Sequence, residues 1–156
     1  MSFSSDLKRF EAKSMERAQA AKRKIVFDLF SAIIRDTPVD TGRLAGNWQT
    51  TSGAPATGEI PRRGRSLAMA AIEKGIRPMD VTTYLSNNLP YAEVVEYGLY
   101  PDPVQRGTWV KGKPHGHYEV RSVAGYSKKA PAGMVRRNVV RFQEIAEKAG
   151  IAVKNI

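Results

Sequence analysis

The chain contains no cysteine among its 156 residues. That absence removes disulfide scaffolds, thiolate zinc sites, iron–sulfur clusters and thiol nucleophiles together. Long apolar runs are missing too. The longest, Leu67 to Ile72, falls far short of the roughly twenty residues that span a bilayer. The opening Ser2-Phe3-Ser4-Ser5-Asp6 turns charged without the apolar stretch of a signal peptide, so the expectation is a soluble protein used without export. Acidic residues are scarce beside basic ones, 15 against 25, for a net charge of +10. The imbalance points to a polyanion or an acidic protein surface as neighbour. A glycine-rich phosphate loop, a Gly-x-Ser-x-Gly turn and a His-Glu zinc helix are also absent. What remains is 42% hydrophobic and 26% charged, enough for one domain with a real core and too apolar for disorder throughout.

The apolar spacing predicts an α+β domain: a long N-terminal helix, a small antiparallel or mixed sheet, and a C-terminal helix. Leu7, Phe10, Ala18, Ala21, Ile25, Leu29 and Ala32 form one stripe of a helix from about Ser5 to Asp36. Ser4 or Ser5 can cap its start, and Pro38 stops it. The stripe is small and broken up to about Ala21 but dense from Ile25 to Ile34. The second half therefore belongs on the core, and residues 1–24 form a candidate projecting arm. Asn47–Ser52 reads as a strand with Trp48, Leu67–Ile76 as a weak helix, and Val81, Thr83 and Leu85 as a second strand. Between them, Gly53–Ser66 carries two prolines, three glycines and Arg62, Arg63 and Arg65, and reads as a mobile basic loop. Tyr91–Tyr97 fits a short helix ended by Gly98. Residues 100–125 form an inserted loop region, within which His117–Val123 alternates like a strand and offers an antiparallel partner for the Val81 strand. Val135, Val139, Phe142, Ala146 and Ala149 give the last helix its stripe, with Gly150 as its cap.

Catalytic chemistry finds little support. His115, His117 and Glu119 alternate as metal ligands on a strand could, but His115 lies between Pro114 and Gly116, where strand geometry fails. Asp102 with Glu119 and Arg121 offers a faint metal-dependent nuclease pattern, in which carboxylates would have to converge on one ion. Glu93 and Glu96 lie one helical turn apart and read more simply as the wet face of a short helix. The arginine loop lacks neighbouring aromatics, so only nonspecific phosphate attraction is expected of it. Neither an enzymatic activity nor a cofactor or metal is expected.

Three motifs stand in a recognisable order: Thr37-Pro38-Val39-Asp40-Thr41-Gly42-Arg43-Leu44 after the long helix, Tyr91-Ala92-Glu93-Val94-Val95-Glu96-Tyr97-Gly98 after a strand, and Ala130-Pro131-Ala132-Gly133-Met134-Val135-Arg136 at the last helix. This arrangement resembles the tail-component, or tail-completion, family of long-tailed bacteriophages, the minor tail protein Z type, over about residues 3–150. Residues 100–125 are longer than that family's pattern. The resemblance implies one tail-completion-like domain over 1–156 and a non-enzymatic virion structural protein of the neck. It would form a homo-oligomeric ring, usually a homo-hexamer, and act as a head–tail connector in virion assembly. Its partners would be itself, a tail terminator or tail tube ring, and a head-completion or connector ring. The resemblance also allows nonspecific contact with genomic DNA and implies no membrane partner. The implied location is the virion neck or tail, with the host cytoplasm during assembly. A tail terminator or a head-completion ring is the alternative within the same class; a metal-dependent nuclease or a nonspecific DNA-binding module is the alternative outside it.

The motifs also have direct physical readings. Asp40 and Thr41 can bond backbone amides in a turn that Gly42 closes in left-handed geometry. Arg43 then projects from a rigid corner to pair with Glu96 of its own subunit, the expected outcome, or to meet a neighbour. Tyr91 and Tyr97 serve a core by default or an interface. Arg43, Glu96, Tyr91 and Tyr97 are thus the interface candidates. Arg62, Arg63 and Arg65, kept hydrated by a loop that resists burial, are the candidates for facing a DNA channel or an acidic partner.

Overall fold

Proline at position 38 sets the end of the first element. The computed structural model describes residues 3–78, 80–112 and 114–148, with side chains up to 144 in the last segment. Helix α1 runs over Phe3–Asp36, about 50 Å at 1.5 Å per residue. Ser4 and Ser5 therefore sit inside its first turn, not at a cap before it. At the other end the buried Thr37 closes the helix twice, its N–H and its hydroxyl both donating to the Ile33 carbonyl at 3.1 and 2.8 Å. The same hydroxyl accepts the indole N–H of Trp48 at 2.8 Å, which places the large buried ring against the helix end. The buried residues of α1 are Phe30, Ser31, Ile33 and Ile34, all in its last two turns. Every residue from Phe3 to Arg17 is exposed.

Left-handed Gly42 leads into α2 (Arg43–Gly46), and β1 (Gln49–Ser52) follows. α3 (Arg65–Gly75) packs across β1 and α1 through the fully buried Ala68 and Ile72. β2 (Thr83–Ser86) pairs antiparallel with β1, in register from Gln49 opposite Ser86 to Ser52 opposite Thr83. α4 (Ala92–Tyr97) buries Ala92, Val95 and Glu96 and stops at left-handed Gly98. The core gathers Phe30, Ile33 and Ile34 of α1, Trp48, Ile72, Leu89, Val95 and Met134. α5 (Arg136–Lys148) ends the described chain, and Gly150, its expected cap, lies outside the described residues. The fold is mixed α+β, with a long N-terminal helix, small antiparallel two-stranded sheets and a C-terminal helix.

The expected pairing of the His117 strand is corrected. β4 (His117–Glu119) pairs with β3 (Thr108–Val110), inside the segment read as a loop, and β2 takes β1 instead. The cause is a cross-strand aromatic pair: Trp109 stands directly opposite Tyr118, their rings edge to face at 5.0 Å. Ser122–Val123 leaves β4 to become β5, turning back through Ala124 and Gly125 to β6 (Tyr126–Ser127). Both turn residues have positive φ, 49° and 77°, the backbone a tight two-residue hairpin demands.

Candidate interaction surface

The corner after α1 is built as its residue types dictate. Gly42 has φ 77°, and its carbonyl accepts the N–H groups of both Gly46 and Gly64 at 2.9 Å. A side chain there would be strained and would meet the Gly64 nitrogen at 3.0 Å. The Thr41 hydroxyl accepts the Arg43 N–H at 3.4 Å, and Arg43 projects outward. Its guanidinium pairs with Glu59 at 2.7 Å, both side chains being about half exposed. The expected Arg43–Glu96 pair does not form.

Glu96 is turned inward instead, onto the start of the last helix. Its carboxylate accepts the backbone N–H groups of Met134, Val135 and Arg136 at 2.6, 2.8 and 2.9 Å. Those are the donors a helix start leaves unsatisfied, and negative charge there also suits the helix dipole. Arg136 closes the joint from outside. It donates to the Glu96 carboxylate at 3.3 Å and to the Glu96 carbonyl at 2.7 Å, with its guanidinium 4.8 Å from the Tyr97 ring centre. Gly133 makes the approach possible: with φ 80°, a Cβ there would lie 2.6 Å from the Glu96 carbonyl oxygen. The Glu-Tyr-Gly and Pro-Ala-Gly motifs, 35 positions apart, thus form one buried joint that ties α4 to α5. Sequence spacing carried no sign that they meet. The two tyrosines are not core: Tyr91 is 38% and Tyr97 52% exposed. The short α4 turns Ala92, Val95 and Glu96 inward, which leaves both rings outside.

The arginine loop is also corrected. Arg62 reaches back to the carbonyls of Gly46, at 2.7 Å, and Trp48, and its burial lowers the guanidinium pKa from its ordinary value. Arg65 donates to the Thr37 carbonyl at 2.7 Å. The loop's own carbonyls at Ala56, Gly58 and Ile60 accept side-chain amides of Asn88, Gln49 and Asn47 at 2.6 to 3.1 Å. Arg62 and Arg65 therefore staple the loop to the core through backbone carbonyls, although Arg65, like Arg63, is an exposed residue. Proline and glycine content gave no hint of this, because the stapling acts through backbone carbonyls far along the chain.

A groove of about 710 Å³ opens between the Pro38–Leu44 corner, α4 and the base of the β3–β4 hairpin. Leu44, Val95, Tyr91 and Tyr100 line its apolar side, and burial followed by the nearby Tyr91 pushes the Tyr100 phenol pKa upward. Arg121 bridges the groove wall, donating to Asp40 at 3.1 Å and to Glu119 at 3.3 Å. Those two hydrogen bonds, Asp40 first, raise its pKa further. Glu119 is thus engaged by a cation, whereas Asp102 is exposed and does not line the groove. Among the described residues no group of three side chains is placed to hold a metal ion. The sequence reading missed Arg106, which lies 4.9 Å from the Tyr118 ring centre and donates to its hydroxyl. The signal available was the pair of aromatics either side of the Pro114-His115-Gly116 turn. No family model, no curated protein and no solved structure matches the chain.

Proposed function

We propose that this chain is a virion structural protein of a phage neck, a tail-completion protein that joins tail to head as a homo-oligomeric ring, sixfold by the family pattern. The observation that carries the reading is the first half of α1. Phe3, Leu7, Phe10 and Met15 stand 56–83% exposed on a rigid helix about 50 Å long, where each costs solvation unless a neighbour covers it. A lever of that kind suits contact between subunits stacked or arrayed in a ring. The order of the three motifs along the chain supports the same reading, and the joint that the second and third make at Glu96 fixes the direction of α5 against α4. Tail terminator or tail tube below, and a head-completion or connector ring above, are the partners.

The work is complementarity of surfaces without chemistry. Glu119, one carboxylate a nuclease would need, is held by Arg121, and Asp102 lies outside the groove. The purified protein should cut no DNA with magnesium or manganese; cleavage abolished by Asp102→Ala or Glu119→Ala would overturn the reading. A phage deprived of this chain should make filled heads and full-length tails that stay unjoined. Tails of uncontrolled length would identify a terminator instead.

A further inference from the structure

We infer that the groove beneath the β3–β4 hairpin docks an extended acidic peptide segment of a different protein, a site that stands whether or not the chain belongs to a virion. Its volume, about 710 Å³, lies within the ~300–1,000 Å³ range of ligand sites. One side is apolar, lined by buried Leu44 and Val95 together with Tyr91 and Tyr100. The rim holds five cations, Arg43, Arg106, Arg121, Lys128 and Lys129, against two carboxylates, Asp40 and Glu119. Both of those carboxylates are engaged by Arg121. Arg43 is half satisfied by Glu59, and Lys129 makes a long contact to the Val39 carbonyl at 3.4 Å. Arg106 is held in place by Tyr118, through one nitrogen to its hydroxyl, which leaves further donors of a fixed fork for a carboxylate. Lys128 is exposed at the same rim. Positive charge around an apolar floor selects a ligand that carries both carboxylates and apolar side chains.

The groove suits a nucleic acid less well. Its apolar side, with buried Leu44 and Val95, offers nothing to a phosphate backbone, and the Tyr118 face that could stack a base is covered by Arg106. A second copy of this chain is not the occupant either. The chain carries +10, and its exposed arm over residues 3–17 holds four basic side chains (Lys8, Arg9, Lys13, Arg17) against three acidic ones (Asp6, Glu11, Glu16). The partner is therefore an acidic protein of another kind.

The test uses the full chain and a fluorescein-labelled peptide of alternating Glu and Leu with one central Phe, read by fluorescence anisotropy. Saturable binding is expected, weakened about tenfold or more by Arg106→Gln with Lys128→Gln, since two exposed charge contacts together supply roughly that factor. Lys8→Gln with Lys13→Gln removes the same charge from the arm and should leave binding within about twofold. The apolar half of the site is checked by Tyr91→Ala, which should also weaken binding without moving the urea midpoint. No binding up to about 1 mM peptide, or equal losses in the groove and arm variants, overturns the proposal. So does an oligothymidylate of equal charge that displaces the peptide from the groove and loses affinity with the same groove variant, which would make the site a nucleic-acid groove.

Discussion

Removing the Glu96 carboxylate should unlock α5 from α4. In Glu96→Ala three backbone N–H groups lose acceptors 2.6, 2.8 and 2.9 Å away, and the Arg136 side chain loses its contact at 3.3 Å. The Met134 N–H is buried, so leaving it unsatisfied costs about 1–3 kcal/mol. The other two lie in a half-open helix start that water can reach, and their loss resembles a missing cap, about 1 kcal/mol. The sum is about 3 kcal/mol. Glu96→Gln keeps the volume and one acceptor oxygen and should cost about half as much. Urea unfolding followed by far-UV circular dichroism gives the readout. With a slope of about 2 kcal/mol/M the alanine midpoint falls by about 1.5 M at unchanged slope. Arg43→Ala is the control: its partner Glu59 is about half exposed, and the loss should stay below about 1 kcal/mol. A cycle of Arg43 against Glu96 should show no coupling. An equal cost for the two single variants, or a coupling above about 1 kcal/mol, would refute the joint as drawn.

Deleting residues 2–17 should leave the urea midpoint nearly unchanged, because the described part of that segment is exposed, while assembly is lost; a deletion that unfolds the domain contradicts the projecting arm. Arg62→Gln should destabilise by about 2 kcal/mol through two charge-assisted hydrogen bonds to carbonyls, and Arg63→Gln by less than about 0.5 kcal/mol; similar losses would show the loop is not stapled. Burial alone would raise the Asp36 pKa, but hydrogen bonds from Arg137 and Asn138 and the charges of Arg137 and Arg141 outweigh it and hold the carboxyl below 3.8. Its stabilisation is therefore present above the ordinary carboxylate range and lost as pH falls through the lowered folded-state value. Asp36→Asn should flatten the acid decline of stability measured by unfolding as pH falls below the ordinary carboxylate range, and an unaltered decline would contradict the assignment.

Local rules carried the elements. The spacing of Ile25, Leu29 and Ala32 and the stop at Pro38 marked α1, alternation around Thr83 marked β2, the demand for left-handed backbone marked Gly42, and the end of a short helix marked Gly98. What stayed hidden depends on contacts between distant positions. The Glu96 carboxylate serves a helix that begins 40 residues later, and the Arg62 staple runs to carbonyls before it in the chain. Side-chain type gives no address for either, because a carboxylate can cap any helix start and a guanidinium can bond any carbonyl. Glu96 was read as half of a surface ion pair for that reason. The β3–β4 pairing was hidden by proline and glycine flanks, which obscured three-residue strands held by Trp109 and Tyr118. The charge surplus was legible from composition, but its concentration at the groove rim required the fold to bring the corner after α1 beside residues 100–129.

The most direct measurement is an electron micrograph of virions in which this chain carries a gold or antibody label. The account predicts label at the junction of head and tail, one cluster per particle. Label along the tail tube, at the tail tip, or absent from purified virions would contradict it.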